Sequence, residues 1–162
     1  MNVNNFSMRP LTPAEIPLLL QLIRELAEYE KMLDEVATTE ESLHEAFFGP
    51  HPCAEALLGY EGDAPVGYAI FFHNFSTFTG RRGLYLEDLY VRPTARGRGY
   101  GRAFLKNLMQ LAVARNCGRL EWCVLDWNTP AIGFYKKLGA VPMDEWTTFR
   151  MSGDALSRRT ED

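Results

Sequence analysis

At 162 residues the chain has the length of one domain, enough to bury a single substantial core. Its composition is globular, at 46% hydrophobic and 23% charged with no low-complexity segment, and it has no run of 18 apolar residues to cross a membrane. A formal net charge of −4 gives no overall attraction to nucleic acid or an anionic membrane, and a mildly acidic surface suits a cationic substrate.

In chain order, FSMRPL reads as a short strand, and Thr12 caps a helix that starts at Pro13, where the missing N–H costs nothing. Ile16, Leu19, Leu20, Ile23, Leu26 and Ala27 recur at helical spacing, which predicts an amphipathic helix over residues 13–30. Thr38 and Glu41 have the spacing of a capping box for a second helix, closed by Gly49 and Pro50. CAEALLGYE and VGYAIFFHNFS, joined by GDAP, predict a hairpin. GRRGLYLEDLYV predicts a further strand, with Leu84, Leu86 and Asp88 on one face and Tyr85, Glu87 and Leu89 on the other. GRAFLKNLMQLAVARNC is a strongly periodic helix. RLEWCVLDW predicts a buried strand, PAIGFYKKLG a short helix ended by Gly139, WTTFRM a last strand, and SRRTED a polar tail. The order β-α-α-β-β-β-α-β-α-β predicts a mixed sheet in one domain of the α/β or α+β class, with a core over about residues 6–151 and a tail over 152–162.

Three cysteines, Cys53, Cys117 and Cys123, with no CxxC, are expected as reduced thiols, without disulfide or metal. His44, His51 and His73 form no pair at metal-ligand spacing. The first residues, MNVNNFSMRP, carry neither an apolar stretch nor a cleavage pattern, so a cytoplasmic location is expected by default.

RPTARGRGYG, residues 92–101, stands between a predicted strand and a predicted helix and holds three arginines and three glycines. Free N–H groups and the dipole at a helix start, with glycines that let the backbone converge on an anion, make a phosphate site. A nucleoside-triphosphate loop needs GK followed by Ser or Thr, and this stretch continues YGRAF. A dinucleotide fold needs G-x-G-x-x-G and an acid at the end of the next strand. Here the glycines run G-x-G-x-G, and Glu121 falls near the start of its strand. The pyrophosphate of coenzyme A is a third possibility, beside a plain tight turn with its arginines in solvent.

Arg96-Gly97-Arg98-Gly99-Tyr100-Gly101 fits the Arg/Gln-x-x-Gly-x-Gly/Ala signature of the GNAT acetyltransferases. LYLEDLYV, EWCVLDWNTPAIGFYKKLGA and LIRELAEYEKM resemble the diamine and polyamine branch of that family, including its thialysine-acetylating members, over about residues 6–151. The resemblance implies a mixed, mostly antiparallel sheet with splayed central strands flanked by helices. It also implies direct acetyl transfer from acetyl-CoA to a primary amine of a small cationic substrate, without a metal or a covalent enzyme intermediate, by a homodimer. Other readings are acetylation of a protein N-terminus or lysine, and an acyl-CoA-binding module without catalysis.

Carried over residue by residue, the resemblance implies that Leu89, Tyr90 and Val91 hold the pantetheine arm and thioester by their backbone. Arg96, Gly97, Arg98, Gly99, Tyr100, Gly101 and Arg102 would hold the pyrophosphate, and Asn128 and Ala131 would contact the cofactor. Tyr135 would protonate the coenzyme A sulfur. The chemistry also needs a base, because only a neutral amine attacks and a lysine-like amine has a pKa of ~10.4 in water. Glu87 is the implied base and Asp88 the implied partner of the ammonium, with the division of labour between them open. By residue type alone, a solvated face or an ion pair accounts for both carboxylates, core packing for Tyr135, and a helix cap for Asn128. Tyr29, Glu30, Glu121 and Cys123 match positions lining the amine cleft. Phe78 stands where the polyamine enzymes carry tryptophan, and the segment around Met143 to Trp146 is shorter here, so a diamine or lysine-like amino acid fits as well as a polyamine.

Overall fold

A computed structural model describes residues 5–157. The described chain forms two compact units that divide after Cys123.

In the first unit, β1 (Phe6–Pro10), β2 (Glu55–Glu61), β3 (Ala64–Ser76), β4 (Arg81–Val91) and β5 (Leu120–Trp122) make one sheet in that order. The first three pairings are antiparallel and β4 runs parallel to β5, so the expected mixed sheet is present. Between β1 and β2 the chain forms α1 (Ile16–Tyr29) and α2 (Glu40–Phe48). Their apolar faces, including Leu19, Leu22 and Leu43, pack with Leu58, Tyr68, Ile70 and Tyr90 of the sheet. Following β4 comes α3 (Tyr100–Ala114), which lies across the opposite face, where a Cβ on Gly59 would meet the Phe104 ring at 2.7 Å. The central β3 is thus buried on both sides.

Two helix starts differ from the sequence expectation. The α-helix begins at Ile16, because Pro13–Glu15 make a 3-10 turn in which the Thr12 N–H and hydroxyl both donate to Glu15 Oε2 (2.9 and 2.7 Å). Thr39, rather than Thr38, caps α2: its Oγ1 accepts from the Ser42 N–H at 3.2 Å, and Ser42 Oγ accepts from the Thr39 N–H. A hydroxyl at the third position does the work expected of Glu41.

β4 departs from strict alternation. Asp88 pairs with Ile70 and Leu86 pairs with Phe71, so Glu87 is an extra residue, a bulge. Ile70 and Phe71 are consecutive and face opposite sides, hence Leu86 and Asp88 do too. Leu84, Leu86 and Asp88 therefore do not share a face: Asp88 joins Tyr68, Ile70 and Tyr90 on the side of α1.

The β5 ladder also stops at Trp122, opposite Leu86, immediately before the bulge. The strand expected over RLEWCVLDW is three residues long and half-exposed, not buried, because the bulge turns β4 away from it. Among the described residues, the second half of β4 consequently has a ladder partner only in β3.

The second unit contains α4 (Thr129–Lys137) and a short α5 (Asp154–Ser157). Gly139 terminates α4 with φ 89°, a backbone region that suits glycine. The strand expected at WTTFRM does not form: Trp146, Phe149 and Met151 are exposed, Phe149 by 92%, and no described residue pairs with them. A strand without a ladder leaves its backbone groups to water and gains nothing from its apolar side chains. Part of the expected polar tail forms α5, and residues 158–162 lie outside the described residues.

Candidate active site

The open half of β4 offers backbone groups. Arg92 N–H donates to Val66 O at 2.8 Å, so alternation turns the N–H groups of Tyr90 and Asp88 toward β3 and those of Leu89 and Val91 away from it. On that side β5 has already ended. Of the three positions expected to hold pantetheine, Leu89 and Val91 thus present free edges, while Tyr90 is taken up by β3 and its ring by the core. The Val91 carbonyl accepts from Arg96 Nε at 2.9 Å.

The glycine loop follows. Gly97 (φ 76°) and Gly99 (φ 87°) adopt the left-handed backbone, and a Cβ built on either meets nothing within 4 Å. Gly99 is the residue before α3 and gives it no side-chain cap for the first N–H groups of the helix. A helix start without a side-chain cap is the kind of place that can hold an anion. Tyr100 offers the cradle its N–H, while its ring is buried and stacks on Phe6 at 4.3 Å. Arg98 makes a fork on Glu61, with both N–O distances 2.7 Å. That pair is exposed, and such pairs are worth about 0–1 kcal/mol, a small barrier to exchanging Glu61 for a phosphate. Arg102 is exposed on the first turn of α3.

Arg96 connects this loop to α1: its guanidinium lies over the Tyr29 ring, 4.4 Å from the centroid. The end of α1 is held to β4 a second time by Arg92, whose Nε and Nη2 donate to the two Glu25 oxygens (2.9 and 2.7 Å). Arg92 lowers the Glu25 carboxyl below its ordinary range. Neither this fork nor its partner was foreseen; an arginine at the end of a strand and a glutamate mid-helix carry no local sequence signal.

Beyond Tyr29, Glu30 reaches the region of Asp88. Burial raises the Glu30 carboxyl above its ordinary value. Burial, with the charges of Glu87 and Glu30, raises Asp88 from 3.8 to about 6 against the opposing hydrogen bond from Tyr68. Glu87 itself is exposed. Tyr85 lies on the same face as Asp88, opposite Glu121 in β5, and its hydroxyl is 3.1 Å from Cys123 Sγ. Glu121 is ion-paired with Arg119 at 2.7 Å, so its charge is largely compensated. Glu30 and Glu87 are thus electrostatic neighbours of Asp88, Tyr85 leads from the Asp88 face to Glu121 and Cys123, and Tyr29 lies against Arg96 of the glycine loop. Sequence reasoning missed Tyr68 and Tyr85; a tyrosine inside a buried strand is itself a signal, since its hydroxyl needs a partner.

In the second unit, Asn128 caps α4, its Oδ1 accepting from the Ala131 N–H at 3.3 Å. Tyr135 stands half-buried on that helix with its ring 5.4 Å from that of Phe134, which is half-buried rather than core.

The profile of the Acetyltransferase (GNAT) family matches residues 19–140, which include the splayed strand, the glycine loop and α4. The chain is a GNAT acetyltransferase. Among curated proteins it is 40% identical over 149 residues to the thialysine N-epsilon-acetyltransferase of Sus scrofa, covering 85% of this chain and 87% of that one. The enzyme of that name from Caenorhabditis elegans is 36% identical, covering 96% of this chain and 98% of that one. Among solved structures, an integron cassette protein from the mobile metagenome of V. cholerae superposes with a TM-score of 0.80 at 27% identity, over 94% of this chain and 96% of the other. The chain is thus an N-acetyltransferase of the diamine, polyamine and thialysine branch. The co-substrate of GNAT acetyltransferases is acetyl-CoA. None of the described helices is long and apolar enough to cross a membrane.

Proposed function

We propose that this acetyltransferase acts on a small amine with two cationic centres, a diamine, a polyamine or a lysine-like amino acid, by direct attack in a ternary complex. The observation that carries the reading is the convergence of Glu30, Glu87 and Asp88 beside the open half of β4. A protein lysine or N-terminus brings one cation and a chain; three acids beside the backbone edge suit a compact dication better. Thialysine, named in the two relatives, is the first substrate to try.

Acetyl-CoA supplies an activated thioester. The Gly97–Gly101 backbone and Arg98 receive its pyrophosphate, with Arg96 and Arg102 adding positive charge beside it. Asn128 and Ala131 contribute from the start of α4. The N–H groups of Leu89 and Val91 donate along the arm, and one aimed at the carbonyl stabilises negative charge as it develops there. Glu87, exposed to solvent, accepts the amine proton directly or through water, and Asp88 pairs with the ammonium. Tyr135 donates to the departing sulfur. A second reading exchanges the two carboxylates, because Asp88, raised to about 6, lies near neutral pH. Glu87→Gln and Asp88→Asn separate these: the base variant loses kcat, the anchor variant raises the amine KM. The exposed apolar residues of the second unit, Val141, Met143, Trp146, Phe149 and Met151, support a homodimer, and the location proposed is the cytoplasm.

The test is thiol release from acetyl-CoA against thialysine, lysine, ornithine, putrescine, spermidine and N-terminal peptides. Turnover with a small dication at least tenfold above any peptide is expected; preference for a peptide overturns the reading. Gly99→Ala tests the cradle. A Cβ at φ 87° costs about 1–2 kcal/mol of backbone strain and shifts the converging N–H groups. The expected result is a loss of coenzyme A affinity of about tenfold in calorimetric titration, with a melting temperature within a few degrees of wild type.

A further inference from the structure

β3 carries a single tyrosine in the middle of its buried run VGYAIFF, and that residue, Tyr68, is 0% exposed. A phenol so placed is costly unless its hydroxyl is hydrogen-bonded. The hydroxyl donates to Asp88 Oδ2 at 3.0 Å. The direction of that bond is fixed by the surroundings: burial and the neighbouring Asp88 charge push phenol ionisation well above its ordinary value, so Tyr68 keeps its proton.

The contact depends on the bulge. In a regular β4, Asp88 would share a face with Leu86, opposite Phe71, and turn away from Tyr68. The extra residue at Glu87 brings Asp88 to the face shared by Tyr68 and Ile70. One carboxylate oxygen is then tied down. The other, Oδ1, has no partner among the described residues, yet it is not among their buried unsatisfied atoms. It is therefore open to an incoming donor.

We propose that Tyr68 is a positioning residue for the amine: it holds Asp88 by Oδ2, in the ionised form, so that Oδ1 is presented to the substrate ammonium. This rests on the reading of Asp88 as an ammonium partner. The groups around Asp88 show why the tyrosine matters. Glu87 on its own strand and Glu30 at the end of α1 oppose its charge, as does burial. Tyr90, its ring 6.2 Å from that of Tyr68, is neutral and directs its own hydroxyl toward Glu25 at 3.5 Å. Among the described residues, the Tyr68 hydroxyl is the group that favours the carboxylate.

Tyr68→Phe removes one oxygen and keeps the ring, so the apolar packing of β3 survives. The experiment compares pH profiles of kcat and kcat/KM for the full chain with thialysine and putrescine, using wild type, Tyr68→Phe, Asp88→Asn and the double variant. Losing a hydrogen bond to the charged carboxylate should raise the amine KM of Tyr68→Phe by about tenfold at neutral pH. Its acid limb in kcat/KM should move upward by roughly one pH unit, with kcat changed less than about threefold. The double variant should match Asp88→Asn alone, because the tyrosine acts through that carboxylate. If Asp88→Asn removes the limb while Tyr68→Phe leaves both limb and KM unmoved, the proposal falls and the reading of Asp88 stands. If Asp88→Asn leaves limb and KM unchanged, the reading of Asp88 falls and takes the proposal with it.

Discussion

Tyr135→Phe should lower kcat by about 10²–10³ while leaving coenzyme A affinity within about threefold of wild type. The change removes one hydroxyl and keeps the ring that packs 5.4 Å from Phe134 on α4, so the helix and its Asn128 cap are undisturbed. What is lost is the donor proposed for the departing sulfur. A thiol has an ordinary pKa of about 8.5, so a free thiolate can leave unaided at high pH, and the deficit should shrink as the assay becomes more alkaline. Single-turnover measurement with saturating acetyl-CoA isolates the chemical step from product release. A variant with unchanged kcat means that the sulfur departs as thiolate or takes its proton elsewhere. The same variant discriminates an enzyme from an acyl-CoA-binding module, for which the phenol has no task.

Asp88→Asn should damage function and strengthen the fold at once. Holding a carboxyl at about 6 rather than its ordinary 3.8 means that folding favours the protonated form, and the difference corresponds to about 3 kcal/mol. The sign follows. Below about pH 4 the group is protonated whether the chain is folded or not, and it costs nothing. As pH rises from about 4 to 6 the unfolded chain releases its proton first, so stability falls, and above 6 the whole penalty is present. Asparagine carries no charge at any of these pH values, and its amide oxygen still accepts from Tyr68. The variant should therefore melt several degrees above wild type at pH 8 and converge with it toward pH 4. In the same preparations the amine KM should rise by one to two orders of magnitude, about what a lost ion pair in a partly desolvated site implies. Equal melting temperatures at pH 8 would mean that the carboxylate is better solvated than its burial suggests.

Much of this molecule is written in local patterns. The hairpin between β2 and β3, the periodic α3, Gly139 after α4 and the glycine loop each depend on a few neighbouring residues, and each stands where the sequence puts it, while α1 keeps its periodic run but starts one turn later. The misses are nonlocal. Nothing in LYLEDLYV announces a bulge, because the extra residue is defined only against Ile70 and Phe71 on another strand. The length of β5 is set by that bulge rather than by the apolar run RLEWCVLDW. WTTFRM has the composition of a strand and lacks a described partner, which composition cannot supply. The site follows the same division. Gly97 and Gly99 are candidates through backbone requirements, Asn128 through a helix cap and resemblance together, and Tyr29, Glu30 and Tyr135 through resemblance. Tyr68 and the Arg92–Glu25 fork became visible only once separate elements were brought together.

The extra residue at Glu87 works as a phase shift. Before it, β4 keeps its large apolar side chains Leu84 and Leu86 in the core; after it, the same two-residue rhythm delivers Asp88 to the opposite side and turns Leu89 and Val91 outward at the backbone. On the proposed reading, one strand serves as scaffold along its first half and as reagent along its second, with no loop between. Deleting Glu87 would bring the strand back into step. The shorter chain would gain a more regular sheet and keep Asp88 opposite Ile70, on the side of α1, but it would lose the Glu87 carboxylate, so tidying this strand removes the proposed base.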